Sequence, residues 1–579
     1  MTVSQEPWWK NATVYQIYPA SYKDSNGDGI GDIPGIISQL DYIKSLGVDA
    51  IWLSPFYDSP QYDMGYDVAN YESVYAPYGT VADIEDFISE SHKRGLRVLF
   101  DLVINHTSHQ HAWFKESRAS KHSPKRDWYI WRPAKYDKDG NRQPPDNWRS
   151  CFGGSAWEWD EGTEEYFLHL FCPEQPDLNW ENPDTRTAIY ESAMEFWLRR
   201  GVDGFRIDTV NMYSKTPGLP DAPITNNQTP WQEASSLFCN GPRMHEFLGE
   251  MNEILEKYDA MTVGELPNTK SVQDVLRCVS AKSKELNMVF QFDIVDVGGG
   301  PDLRYDTVPW NWKLNDLRRA VQQTQLVMNG TDGWGTAFME NHDQARVISR
   351  FGCDETPELW DRSGKMLAMF LAGLSGTLYL YQGQEIGMVN APKSWPISEY
   401  KDVDSINYFK HVETMTGGGT GALERAKAAL QHMARDHGRL PMQWDNMPNA
   451  GFSNAGVETW MRVHDGYESI NVKKQEGDTS SILSFWKTVL SHRKQNLRVF
   501  AHGFFSLLES EHESVLAYEK TSKDQRLVGV FNFTKESQSI DLVSRLGLKG
   551  STCLMSNYAD ENTGLLRPFE GRLYLMGQR

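Results

Sequence analysis

VADIEDFISESHKRGLRVLFDLVINH, residues 81–106, carries the pattern by which the rest of the chain can be read. Val81–Gly95 reads as a helix, and Arg97–Ile104 (RVLFDLVI) as a short, almost wholly apolar strand. A helix that hands over to a buried strand across a single residue is the unit of a parallel sheet. The same unit recurs upstream. Val14–Pro19 reads as a strand, Ile36–Leu46 has Ile36, Ile37, Leu40, Ile43 and Leu46 at helical spacing, and Ala50–Pro55 is again a strand.

Downstream the alternation breaks, then resumes. Residues 107–181 are rich in Trp, Pro, Gly and charge, and are expected to form an irregular inserted domain. Beyond it the sequence predicts helices over 185–201, 243–258, 314–328 and 365–374, and strands over 204–208, 261–265, 288–295, 336–342 and 377–382. The strands then number eight, as in a closed (β/α)8 barrel. The last stretch changes character to SVLAYEK, RLVGVFNF and GRLYLM with no helices between them, which predicts an antiparallel β-sandwich domain. The expected organisation is therefore barrel over 1–106, insertion over 107–181, barrel again over 182–503, and a β domain over 504–579.

Bulk properties exclude several classes of function. A net charge of −20 offers no basic face for nucleic acid, anionic membrane or phosphorylated substrates, so a neutral small molecule such as a sugar fits better. Twenty Trp with twenty-five Tyr and twenty-five Phe permit sugar stacking. Six scattered cysteines without metal-ligand spacing read as free thiols of a reducing compartment. The N-terminal MTVSQEPWWKNATVYQIYP lacks the layout of a signal peptide, and no run of eighteen apolar residues occurs. A cytoplasmic protein is expected.

Barrel enzymes keep their chemistry at the C-terminal ends of the strands. There the chain places Asp101, Asn105 and His106, then Arg206 and Asp208, then Glu265, then Glu340, Asn341, His342 and Asp343. Two carboxyl groups on neighbouring strands suit glycoside cleavage, in which an ionised one attacks the anomeric carbon and a protonated one donates to the leaving oxygen, at about 5–5.5 Å in retaining enzymes. Arg206 lies two residues before Asp208, hence on the same face, where it favours an ionised Asp208. Glu265 needs apolar or like-charged surroundings to keep its proton.

Five ordered motifs, DLVINH (101–106), QPDLNW (175–180), GFRIDT (204–209), VGE (263–265) and ENHD (340–343), resemble glycoside hydrolase family 13, the α-amylase superfamily, over essentially the whole chain. QPDLNW, SPQYDMGYD (59–67) and RDHGRLPMQW (435–444) look like the oligo-1,6-glucosidase and yeast-type maltase group. The resemblance implies Asp208 as nucleophile, Glu265 as acid/base and Asp343 as the third carboxylate. It also implies sugar contacts from His106 and His342, an orienting Arg206, and a glucose site closed by Asp63 and Arg435 with Tyr66 stacking. Thr209, next to the nucleophile, goes in that group with α-1,4 preference, and Val with α-1,6. The implied activity is an exo-acting α-glucosidase with retention. Transglucosylases and sucrose isomerases of the family share these motifs, whereas its non-catalytic, membrane-anchored members tend to lose the triad that this chain keeps.

Asp24, Asn26, Asp28 and Asp32, with the Ile30 carbonyl, begin like an EF-hand loop, but Gly35 stands where the bidentate Glu belongs. One structural Ca²⁺ or Mg²⁺ is expected there, and no organic cofactor.

Overall fold

The structure is a computed structural model and describes residues 6–300, 303–306, 312–508, 512–541, 546–548, 551–559 and 564–577. The outer ends of the expected first and last domains, residues 1–5 and 578–579, lie outside the described residues, as do several turns of the C-terminal domain. Eight parallel strands form the barrel: β1 (Thr13–Ile17), β2 (Ala50–Leu53), β3 (Arg97–Leu102), β4 (Gly204–Ile207), β5 (Met261–Glu265), β6 (Met288–Phe290), β7 (Thr336–Ala337) and β8 (Thr377–Tyr381). Their order is β6-β5-β4-β3-β2-β1-β8-β7, and the remaining seam is bridged where Thr336 Oγ1 donates to the Val289 carbonyl at 3.1 Å.

Period-two alternation sorts each strand between two apolar environments. Val14, Ala50, Trp52, Leu99, Met261, Val263, Met288, Phe290 and Tyr379 pack in the barrel interior. Tyr15, Ile51, Val98, Phe100, Phe205 and Leu378 face the surrounding helices. Following the inward row to the strand ends takes Leu99 to Asp101, and Val263 to Glu265. Register pairs Arg206 directly with Asp101 on one side and Val263 on the other. Polar groups thus crown a packed apolar barrel.

Some elements differ from the predicted ones. β6 stops at Phe290 and β7 at Ala337, five residues short of each expectation, because the chain beyond bends into loops at the barrel mouth. The helix predicted at 185–201 runs from Pro183 to Ile189, widens into a π-helical turn over Tyr190–Glu195 and ends at Leu198. The insertion is less irregular than expected. It holds a helix, Ala112–Ala119, and a three-stranded antiparallel sheet of Trp131–Arg132, Glu165–Leu168 and Trp157–Asp160. A helical hairpin after β8, Val403–Thr416 and Thr420–Met433, was not foreseen.

The C-terminal region is a five-stranded antiparallel sheet: β9 (Phe504–Leu508), β10 (Val515–Thr521), β11 (Gln525–Asn532), β12 (Cys553–Ser556) and β13 (Gly571–Gly577). One face packs Val515, Ala517, Val528 and Val530 against Leu566 of a two-stranded ribbon and the adjoining Ile540. The other joins the barrel core through Leu516, Tyr518 and Phe531. Among the described residues no helix is long and apolar enough to cross a membrane, and no disulfide joins any of the six cysteines.

Candidate active site

A pocket of about 260 Å³ opens at the C-terminal ends of the strands. Asp63, Tyr66, His106, Asp208, Thr209, Glu265, Asp343 and Arg435 line it, with Phe152, Phe171 and Phe292 as apolar walls. Of the ten predicted catalytic and sugar-binding residues, these eight reach the pocket surface. Arg206 and His342 stand behind it, fully buried.

Arg206 joins the carboxylates at the pocket floor. Its Nη1 donates to Asp101 Oδ1 at 2.7 Å and to Asp208 Oδ1 at 2.8 Å, and its Nη2 pairs with Glu265. Burial pushes Glu265 up to about 8. The Arg206 charge opposes this, while those of Asp208, Asp343 and Asp101 add to it, and burial prevails. Glu265 is therefore an acid that holds its proton at neutrality, the state required of a proton donor. Asp208 also accepts from the Thr209 hydroxyl at 3.1 Å, while its backbone carbonyl accepts from Tyr213 Oη at 3.0 Å. Thr209 has φ +40°, costly for a β-branched residue. The strand-to-turn bend that presents Asp208 is thus a strained one.

The opposite end is closed by charge. Arg435 Nη2 lies 3.1 Å from Asp63 Oδ1, and its Nη1 donates to Asp343 Oδ1 at 3.0 Å. Arg439 Nη2 reaches the same Asp343 oxygen at 2.9 Å. Burial alone would raise the Asp343 pKa, but His342 and these two guanidiniums outweigh it and hold the carboxyl well below its usual range. Burial also pushes His342 down to about 3, so its ring is neutral and the guanidiniums carry the effect on Asp343.

His342 does not touch the pocket as predicted. The Gln16 amide donates to Nδ1 at 2.8 Å, which leaves the ring proton on Nε2, 2.6 Å from Tyr66 Oη and 3.1 Å from Asp343. The histidine therefore holds two pocket residues from behind the pocket wall. Tyr66 in turn donates to Asp101 Oδ2 at 3.0 Å.

Four further residues complete the site. Gln175 of QPDLNW donates to Asp63 Oδ2 at 3.1 Å and lies 3.2 Å from His106 Nε2, tying the insertion to the pocket. Asp101 receives three donors: Arg206, Tyr66 and Trp52 Nε1. Arg439 belongs to RDHGRLPMQW, four residues beyond Arg435. Its spacing of four from Arg435 on a helical turn was the signal that both face the same way. Asp402, which meets both arginines, carried no signal beyond that of a helix cap.

The glycine-rich loop after β1 lies apart, against residues 452–460. Asp24 accepts from the Gly27 and Gly29 N–H groups and from Ser453 Oγ, and Asp32 from Ser25, Asn26 and Gly35. A Cβ on Gly29, at φ +90°, would meet the Glu458 carbonyl at 2.1 Å, so glycine is required there. The Asp28 N–H donates to Asn26 Oδ1, and the Ile30 N–H to Asp28 Oδ1. These oxygens keep second lone pairs of the kind hard cations take. Among the described residues, however, the one trio of metal-ligating side chains within 4.8 Å of one another is His245, Cys278 and Glu285, not the loop's aspartates.

The floor and closed end together describe a site for breaking glycosidic bonds. The α-amylase catalytic-domain model matches residues 16–503, and the chain belongs to that family of glycoside hydrolases. More particularly, it is 49% identical to an α-glucosidase of Candida albicans, over 99% of this chain and 100% of that one. It is 46% identical, at the same coverages, to an oligo-1,6-glucosidase of Saccharomyces cerevisiae. The isomaltulose synthase of Protaminobacter rubrum superposes with a TM-score of 0.90 at 35% identity, covering 99% of this chain and 100% of that one.

Proposed function

We propose that the protein is a retaining, exo-acting α-glucosidase that releases α-glucose from the non-reducing end of short α-glucosides. The observation that carries this reading is Arg206 bridging Asp208 and Glu265 on the floor of a pocket whose far end is sealed by Asp63, Arg435 and Asp343. One guanidinium gripping both carboxyl groups keeps them on adjacent strands at the close approach that favours nucleophilic attack over activation of an intervening water.

In the first step a carboxylate oxygen of Asp208 attacks the anomeric carbon while Glu265 gives its proton to the departing glycosidic oxygen. The bond to the aglycone breaks and a covalent glucosyl ester forms. In the second step Glu265, now ionised, takes a proton from water as that water attacks the same carbon, and Asp208 is released. Two inversions give retention. The sealed end admits one terminal glucose, which supports exo action. Proton NMR in the first minutes of turnover tests the mechanism: α-glucose is expected before mutarotation, and β-glucose appearing first overturns it.

The preference for α-1,4 linkages that we propose rests on Thr209, which stands on the pocket wall beside Asp208. The likeness to isomaltulose synthase supports glucosyl transfer to a sugar hydroxyl as the second reading, which the products formed from concentrated sucrose or maltose distinguish. For the glycine-rich loop we propose one hard cation, held by Asp24, Asn26, Asp28, the Ile30 carbonyl and Asp32. It would lend rigidity to the loop and take no part in the reaction.

A further inference from the structure

The sealed end of the pocket is itself held from behind. Asp402 is fully buried and forms no part of the pocket wall, yet it meets both arginines that do the sealing. Its Oδ1 accepts from Arg435 Nε at 3.1 Å, and its Oδ2 lies 2.8 Å from Arg435 Nη2 and 2.7 Å from Arg439 Nη1. The same Oδ1 caps helix Val403–Thr416 by accepting from the Asp404 and Ser405 N–H groups. Asp436, between the two arginines in sequence, answers in the other direction. It accepts from the Lys401 N–H at 2.6 Å, the Asp402 N–H at 2.9 Å and the Ser405 hydroxyl at 2.7 Å.

We infer that Asp402 is a positioning residue for the glucose end of the pocket, locking Arg435 and Arg439 in place and making the helical hairpin 403–433 part of the site. The inference rests on reading that end as the glucose subsite. Without Asp402, two buried guanidiniums share only Asp343 between them. Arg435 then loses the two contacts, at Nε and Nη2, that aim its guanidinium at Asp63 and Asp343. Burial disfavours the Asp402 charge, but the two guanidiniums outweigh it and keep the carboxyl below its usual range. It stays ionised through neutral pH, as an anchor does and a proton shuttle does not.

Asp402→Asn is the test, because Asn keeps the volume and caps helices as well as Asp, while the charge is lost. Kinetics are taken with α-glucosyl fluoride, p-nitrophenyl α-glucoside and maltose, which share the glucose and differ in what leaves. Since Arg435 and Arg439 act at the glucose end, KM should rise and kcat/KM fall by about a hundredfold, by the same factor for all three. KM is independent of the fraction of protein that folds, so partial misfolding does not imitate this result. If the Asn variant is not recovered folded, Asp402→Ser, which retains a capping oxygen, is read in the same way. A mere helix cap would lower Tm and leave KM and kcat/KM within about twofold. That outcome, or a loss confined to one leaving group, overturns the inference. Failure of the unmodified enzyme on all three substrates would instead sink the functional reading.

Discussion

Asp208→Asn keeps an acceptor for Arg206 and the Thr209 hydroxyl, and Glu265→Gln keeps the pocket's volume, so both variants should fold. Each should lose several orders of magnitude in kcat, and near-normal turnover in either one refutes its assigned role. The raised Glu265 pKa fixes one limb of the pH profile. Its acid form persists up to about 8, so kcat/KM should hold through neutrality and then fall tenfold per pH unit on the alkaline side. An alkaline limb near the ordinary carboxylate range would remove Glu265 as the proton donor. Thr209 has a contact beyond the expected one, because its hydroxyl donates to the Asp208 carboxylate itself. Thr209→Val should therefore lower kcat on every substrate as well as shift the maltose-to-isomaltose ratio of kcat/KM toward isomaltose. A single hydrogen bond is worth about 0.5–1.5 kcal/mol, or roughly two- to tenfold in rate. An unchanged ratio would confine the residue to supporting Asp208.

At the level of elements, the strands were the most legible part of the sequence. Both their faces are buried, so each reads as an apolar run, and the polar residue that ends the run marks the barrel mouth. Asp101, Arg206, Asp208 and Glu265 could be found in this way because their backbone is regular. β6 and β7 are shorter than expected because Ile294–Val295 and Phe338–Met339 are as apolar and as buried as strand residues, though their backbone follows loops. The position of His342 behind the pocket wall was not legible for a related reason, since a residue name at a strand end does not say which side of Tyr66 the ring will take. Asp402 and the hairpin behind it were beyond reach, because their role comes from ion pairs across more than thirty residues. The loop 24–32 is the element whose function the sequence suggested most directly. If it holds a cation, Ca²⁺ should raise Tm and a chelator lower it, by linkage of binding to folding. Asp28→Ala should abolish the difference without changing kcat. Identical melting with and without Ca²⁺ would leave the loop as a self-capped turn.

For the whole molecule the question is whether the C-terminal sheet is a separate body. Linked domains that melt apart meet through modest, polar interfaces. Here Tyr518 and Phe531 pack on Phe370, with ring centroids 6.2 and 5.4 Å away, inside the helix Pro357–Ala372 that flanks β8. A Cβ on Gly373, at the end of that helix, would come within 1.9 Å of Tyr518 Oη, so closely are the two layers set. Arg493 is fully buried beside them and donates to the carbonyls of Ala372 and Leu374, fixing the turn that leads into β8. Removing the sheet would expose this apolar face and leave the barrel's last helices uncovered. Thermal unfolding of the intact chain should therefore show one cooperative transition. Phe531→Ala should cost about 3–5 kcal/mol and shift that single transition down as a unit. It should leave KM unchanged at temperatures where the variant is folded, because the pocket lies at the other side of the strands. Two resolved transitions, with the mutation moving only one, would show instead that the sheet folds on its own account and merely leans on the barrel.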